Sequence, residues 1–293
     1  MSVAVSGASG QLGRLVSEYL LQRLPASDVI LVTRTPDALE DFASRGAQVR
    51  HGSFDEPEGL PAAFAGATRA LLISTADLGR RVPQHRNGVD GAKAAGVRHI
   101  AYTSILNPTS ANPAFVVDEH VQSEALVRGS GVDWTLLRMG NYSEFLVPPA
   151  THAAATGQFV HNAGDGEIAY VSRADCAAAA GAVLASDGHA GANYDVTGPE
   201  LLRPADVAAI VAELTGKPIE PVEISDEQFT ANAVAAGFPD WLAAGFATWG
   251  QAIRAGALSA LSTAVRDLTG QPPRTVREVL SDHLPAIVGA ATA

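Results

Sequence analysis

Ser2-Val3-Ala4-Val5-Ser6-Gly7-Ala8-Ser9-Gly10-Gln11-Leu12-Gly13 opens the sequence. An apolar strand runs straight into Gly-x-x-Gly-x-x-Gly, and the pattern from Gln11 to about Arg23 is helical. Glycine is needed at three points. Gly7 lets the chain turn sharply off the strand, Gly10 lets backbone N–H groups approach a diphosphate, and Gly13 lets the helix pack closely on the strand. The helix N-terminus then aims its partial positive charge at the anion. Gly7, Ser9, Gly10, Gln11, Leu12 and Gly13 are therefore the expected cradle of a dinucleotide.

Asp28-Val29-Ile30-Leu31-Val32-Thr33 reads as a second buried strand, ending at Thr33-Arg34-Thr35-Pro36. A carboxylate at this strand end would hold the ribose 2′-hydroxyl of NAD, whereas a basic residue accommodates the 2′-phosphate of NADP. No acid occurs before Asp37, and Arg34 occupies the position, so the expected cofactor is NADP(H).

Strand and helix patterns then alternate. Strands are expected at Ala47–His51, Thr68–Ile73, Arg98–Thr103 and Asp133–Met139, with helices at Glu58–Ala65, about Pro83–Ala95 and about Val116–Gly129. This alternation predicts an α/β fold built on a Rossmann-type, doubly wound parallel sheet. Ligands of such sheets bind beyond the carboxyl ends of the strands. Those ends add Ser53, Phe54, Ser74, Thr75 and Thr103 to the expected cofactor contacts, with Phe54 beside the adenine, and bring Asn141 and Tyr142 to the same side.

Beyond Tyr142 the regularity breaks. Pro148-Pro149, Gly157 and Gly164-Asp165-Gly166 read as loops and a hairpin, the helix Arg173–Ala185 and strand Asn193–Val196 as a return to the main sheet. From Leu202 the pattern is a helix, a strand at Ile219–Ile224, then mostly helices. The expected organisation is a dinucleotide-binding domain over 1-140, rejoined by 173-198, and a smaller, mostly helical substrate domain from 141-172 and 199-293. A cleft between them is the expected substrate site.

Composition sets limits. The chain has 293 residues, 47% of them hydrophobic, enough for a large core. A formal net charge of −11 argues against nucleic acid and anionic membrane surfaces as partners. No apolar run approaches a membrane span, and a core strand at the N-terminus is read as leaving no signal peptide. The single cysteine, Cys176, lies in an alanine-rich run, reads as a buried structural thiol and fits a reducing cytoplasm. No His/Cys cluster has metal-ligand spacing, so no metal is expected. The oligomeric state stays open, a homodimer among the alternatives.

Several segments carry a family likeness: Gly7-Ala8-Ser9-Gly10-Gln11-Leu12-Gly13, Val32-Thr33-Arg34, Pro83-Gln84-His85-Arg86-Asn87, and Ala94 to Ser104. Asp118-Glu119-His120 and Thr135 to Glu144 extend it. Together they resemble the NmrA-like branch of the atypical short-chain dehydrogenases, from residue 1 to about Gly216 and weakly near Arg274–Leu284. Members often carry an aspartate where this chain has Ser53, which puts the adenine contact in doubt but leaves the phosphate site intact.

Most short-chain dehydrogenases use Tyr-x-x-x-Lys, the lysine lowering the tyrosine pKa for proton transfer. Here Tyr19, Tyr102, Tyr142, Tyr170 and Tyr194 are followed four residues later by Arg23, Leu106, Leu146, Ala174 and Gly198. The only lysines are Lys93 and Lys217, and Val116 and His120 align with the missing pair. Alcohol dehydrogenation by the usual route is therefore not expected.

Quinone reduction tolerates that loss. A quinone is a strong hydride acceptor and its reduced form is a stabilised anion that water can protonate. The function the resemblance implies, and this chemistry permits, is NADPH-dependent, flavin-independent hydride transfer to a quinone-like small molecule. The alternative is an NADP(H)-sensing regulator with little turnover, as the resemblance also allows. The candidate catalytic contacts are Asn141, orienting a substrate oxygen, Tyr142, stacking on or hydrogen-bonding the ring, and His120, donating a proton or lining the nicotinamide. Gln84, His85 and Arg86 are expected either to rim the nicotinamide site or to cap a helix. Glu124 is read as a solvated helix charge rather than a partner of His120. Trp241, Phe246 and Trp249 form a helical stripe suited to a core or lid.

Overall fold

Val3 and Val5 point into one hydrophobic core and Ala4 into another, so the first strand is covered on both faces. That is the signature of a parallel sheet sandwiched between helices. The computed structural model describes residues 1–289. Its strands are β1 (Val3–Ser6), β2 (Val29–Thr33), β3 (Gln48–His51), β4 (Arg69–Leu72), β5 (His99–Ile105), β6 (Asp133–Met139), β7 (Gln158–His161), β8 (Ala192–Val196) and β9 (Glu220–Glu223). The helices are α1 (Gln11–Leu21), α2 (Glu40–Ala43), α3 (Leu60–Phe64), α4 (Arg81–Ala94), α5 (Val117–Arg128), α6 (Val147–Thr156) and α7 (Arg173–Ala185). They continue with α8 (Pro204–Thr215), α9 (Asp226–Ala235), α10 (Asp240–Arg254), α11 (Ala264–Thr269), α12 (Val276–Asp282) and α13 (Leu284–Gly289).

Seven strands form one parallel sheet in the order β3-β2-β1-β4-β5-β6-β8. The winding reverses between β1 and β4, which opens a crevice at their carboxyl ends. The α1, α7 and α11 helices cover one face; α3, α4 and α5 cover the other. Alanines and Gly181 let α7 approach α1 closely: a Cβ at Gly181 would lie 2.3 Å from the Tyr19 ring. The Cys176 thiol is sealed in this interface, and burial pushes its pKa well up, as expected of a structural cysteine.

Two local expectations are overturned. Pro148 and Pro149 lie in the first turn of α6, not in a loop; prolines fit there because the first helical N–H groups have no intrahelical acceptor. The glycines near 164 make no hairpin. Strand β7 instead pairs in parallel with β9, far along the chain, forming a separate two-stranded sheet. Gly166 serves close packing, since a Cβ there would sit 2.5 Å from the Ile253 carbonyl oxygen of α10. Leu146, Ala150, Phe159, Val207, Ile210 and Leu280 build the core of this irregular half. No helix among the described residues is long and apolar enough to cross a membrane.

Candidate active site

Where the chain leaves β1, Gly7 takes φ +63°, a left-handed conformation costly for other residues, and its carbonyl accepts from the Gly10 N–H at 3.0 Å. Gly13 is squeezed hardest: a Cβ would lie 2.3 Å from the Gly7 oxygen and 2.7 Å from the Ala8 Cα. Backbone atoms on every side leave no room to yield. Ser9 is tied to the end of β2 through a 2.7 Å hydrogen bond with Thr33, and Thr35 closes that polar corner. Gln11 and Leu12 form the first turn of α1, Leu12 buried and Gln11 exposed. Beside them Arg34 is exposed and, among the described residues, makes no hydrogen bond or ion pair. A bare glycine cradle flanked by an unpartnered guanidinium fits the diphosphate and 2′-phosphate of NADP(H).

Beyond β3, the Ser53 hydroxyl accepts from the Asp55 N–H at 3.2 Å, and the Phe54 ring packs on Gly88 of α4. Beyond β4, the Ser74 N–H donates to the Thr103 hydroxyl at 2.8 Å, and Thr75 is held twice. Its N–H donates to His85 Nε2 at 3.1 Å and its hydroxyl to Gln84 at 2.6 Å. Gln84 and His85 are thus buried struts beneath the strand end, neither rim nor solvated cap, while Arg86 faces solvent.

Next to this crevice lies a cleft of about 800 Å³. Ser74, Thr103, His120, Asn141 and Tyr142 all line it, so five of the expected residues from four different segments meet at one wall. The rest of the lining is mainly apolar, including Phe115, Phe145, Phe246 and Trp249. Of the aromatic stripe on α10, only Phe246 and Trp249 reach the cleft; Trp241 is 60% exposed. The Asn141 side chain has no hydrogen-bond partner among the described residues, which leaves its amide free to serve a ligand. Tyr142 is wedged between Phe145 and Arg173, whose guanidinium sits 4.9 Å from its ring centroid, and burial pushes its phenol pKa up.

His120 stands on α5, 3.0 Å through Nδ1 from the Tyr102 hydroxyl. Burial, helped by the neighbouring Arg81 charge, pulls its pKa down to about 3. Burial therefore favours the neutral imidazole near neutral pH and works against proton donation through the imidazolium. Glu124 corrects the sequence reading: it is 3% exposed, and it binds Arg138 and Ser104 rather than solvent or His120.

Sequence inspection misses several polar residues of the cleft, Tyr170 and Arg81 among them. Tyr170 lines it with a hydroxyl that has no hydrogen-bond partner among the described residues; nothing distinguishes it in an irregular segment. Arg81 does carry a signal. It starts α4, two residues before the expected helix, and a cation at a helix N-terminus opposes the dipole.

The chain matches the NAD(P)H-binding family over residues 7–187. It is 38% identical to Escherichia coli quinone oxidoreductase 2, over 96% of this chain and 98% of that one. The crystal structure of the E. coli NADPH-dependent quinone oxidoreductase complexed with NADPH superposes with a TM-score of 0.92, covering 96% and 99% of the two chains at 38% identity. Citrobacter sp. triphenylmethane reductase complexed with NADP(H) follows at 0.87 and 33% identity, over 96% and 99%. Fold, glycine cradle and these likenesses agree: the chain belongs to the NAD(P)H-binding family.

Proposed function

We propose that the protein is an NADPH-dependent oxidoreductase that passes a hydride, without flavin, to a quinone or similar electrophile. The observation that carries this reading is the mainly apolar cleft, which begins at Ser74 and Thr103 on the cofactor side and continues past Asn141 and Tyr142. The similarity to E. coli quinone oxidoreductase 2 supports the same choice of acceptor. A pure sensor of NADP(H) needs no such volume beside the cofactor crevice.

In this reading Gly7, Ser9, Gly10, Gln11, Leu12 and Gly13 hold the diphosphate, and Arg34 holds the 2′-phosphate. Ser53 and Phe54 border the adenine; Ser74, Thr75 and Thr103 position the nicotinamide half. Bound NADPH supplies the hydride. The free Asn141 amide orients the acceptor oxygen, the Tyr142 ring packs against the acceptor, and the aromatic walls exclude water until the anion is released to be protonated. Segments 1-140 and 173-198 serve the nucleotide; 141-172 and 199-293 shape the substrate side. A cytoplasmic location, with NADPH at hand and the Cys176 thiol kept reduced, fits this chemistry.

The test is NADPH oxidation by flavin-free protein with a simple benzoquinone, against a no-enzyme control. Sustained turnover, faster with NADPH than with NADH, is expected. Tight NADP(H) binding without turnover across several quinones would reject the reading in favour of a regulator.

A further inference from the structure

Arg81 is a cation built into the cleft, and its nearest counter-ion, Glu119, stands at the 4.0 Å edge of ion-pair distance. Its Nε donates to the Thr75 carbonyl at 2.7 Å, which fixes the guanidinium at the end of β4. The side chain is 13% exposed and lines the cleft with Ser74, His120 and Asn141. The Glu119 oxygen nearest Arg81 is too far for a hydrogen bond, its other oxygen accepts from the Gly79 N–H at 2.9 Å, and Asp77 adds only a weaker, longer-range attraction. A largely buried cation left this way is costly unless an anion arrives to complete it.

His120 lies beside it, within a buried chain of hydrogen bonds. His85 Nε2 accepts from the Thr75 N–H, so the single proton of this neutral ring sits on Nδ1. That Nδ1–H donates to Ser123 Oγ at 2.7 Å, and Ser123 donates to the Glu119 carbonyl at 2.7 Å. The Tyr102 hydroxyl lies 3.0 Å from His120 Nδ1, and His120 Nε2 lies 3.5 Å from Arg81 Nη1. A guanidinium can only donate, so His120 Nε2 accepts from Arg81 and the ring proton sits on Nδ1, facing the Tyr102 oxygen. The Thr75 carbonyl and His120 thus hold the Arg81 guanidinium from two sides at the cleft wall.

We propose that Arg81, held in place by the Thr75 carbonyl and His120, is the anion site that receives the oxygen of the acceptor as it turns into a phenolate-type anion. This deepens the reductase reading and rests on it for the identity of the ligand. Hydride addition delivers two electrons and one hydrogen to the quinone, and the negative charge appears on its oxygen. The Arg81 guanidinium holds that charge where it develops and keeps its protons; water later supplies the one that completes the hydroquinone.

The probe is 4-nitrophenol, added to the NADP+ complex, with ionisation followed by absorbance. In the wild-type protein the bound phenol should ionise about one pH unit below the free compound. Arg81→Met should abolish that shift and weaken binding about ten-fold or more. Arg81→Lys should restore part of both, and His120→Phe should lose part of the shift. Should Arg81→Met fail to bind NADP+, Arg81→Lys is read alone, and a smaller shift than wild type is required. No binding of the probe to wild type, or the same titration in wild type and in whichever Arg81 variant is read, overturns the anion site. Quinone turnover is measured in parallel. Turnover without the shift rejects the site and keeps the reductase; the shift without turnover does the reverse.

Discussion

The Glu124 carboxylate grips the Arg138 guanidinium with two hydrogen bonds, Nε to Oε1 at 2.9 Å and Nη2 to Oε2 at 2.8 Å. This joins α5 to β6 beneath the cleft, and the Ser104 hydroxyl of β5 adds a third bond at 2.8 Å. Removing one partner strands the other. Fully buried pairs lose about 3–5 kcal/mol in that situation, but Arg138 is 24% exposed and water recovers part of the loss. Glu124→Gln should therefore destabilise by about 2 kcal/mol, read as a lower urea midpoint at unchanged m-value. NADPH affinity should stay the same, because no atom of this pair faces the cofactor crevice.

Arg34 gives the opposite profile. It is exposed and has no partner among the described residues, so Arg34→Ala should leave the melting temperature unchanged. A charge-assisted bond to a phosphate contributes about 1.5–3 kcal/mol, so the NADPH dissociation constant should rise about 10- to 100-fold. NADH, which lacks the 2′-phosphate, should bind as before. Equal losses for both cofactors, measured by fluorescence titration, would show that Arg34 does not read that phosphate.

Most of the sheet could be read from the sequence because its strands are buried on both faces and its helices follow at regular spacing. Glycine needs at 7 and 13 were equally legible, being set by backbone geometry that only one residue type satisfies. The second half resisted for a physical reason: β7 and β9 pair across some sixty residues, and nothing local in Gln158–His161 or Glu220–Glu223 encodes the partner. The same distance effect hid the fate of Glu124, whose partner Arg138 lies on another element. Arg81 was concealed by placing the start of α4 at Pro83, a residue suited to a first helical turn, rather than two residues earlier.

Tyr170 offers a test of the substrate wall that stability does not confound. Its hydroxyl has no hydrogen-bond partner among the described residues, so Tyr170→Phe removes a group that their packing does not use. The variant should be as stable as the wild type or slightly more so. If the hydroxyl meets the acceptor, the KM for benzoquinone should rise about five-fold with NADPH affinity unchanged, as expected for one neutral hydrogen bond. An unchanged KM would remove Tyr170 from the substrate wall.

The two buried imidazoles predict how stability depends on pH. Burial pulls His85 from its ordinary 6.5 down to about 4 and His120 down to about 3. In the unfolded chain both titrate near 6.5, so between about pH 6 and pH 4 the unfolded state binds more protons than the folded one. Stability therefore rises with pH: this contribution is fully present above 6.5 and is lost as pH falls through the window. Each histidine should contribute a slope of about 1.4 kcal/mol per pH unit there. His85→Gln should flatten the pH dependence of urea-derived stability by one histidine's share, the comparison with wild type cancelling the carboxylates. An unchanged slope would mean that His85 protonates in place. The same neutrality of His120 predicts that kcat for quinone reduction, measured from pH 5.5 to 8, shows no limb near 6.5 that His120→Phe removes.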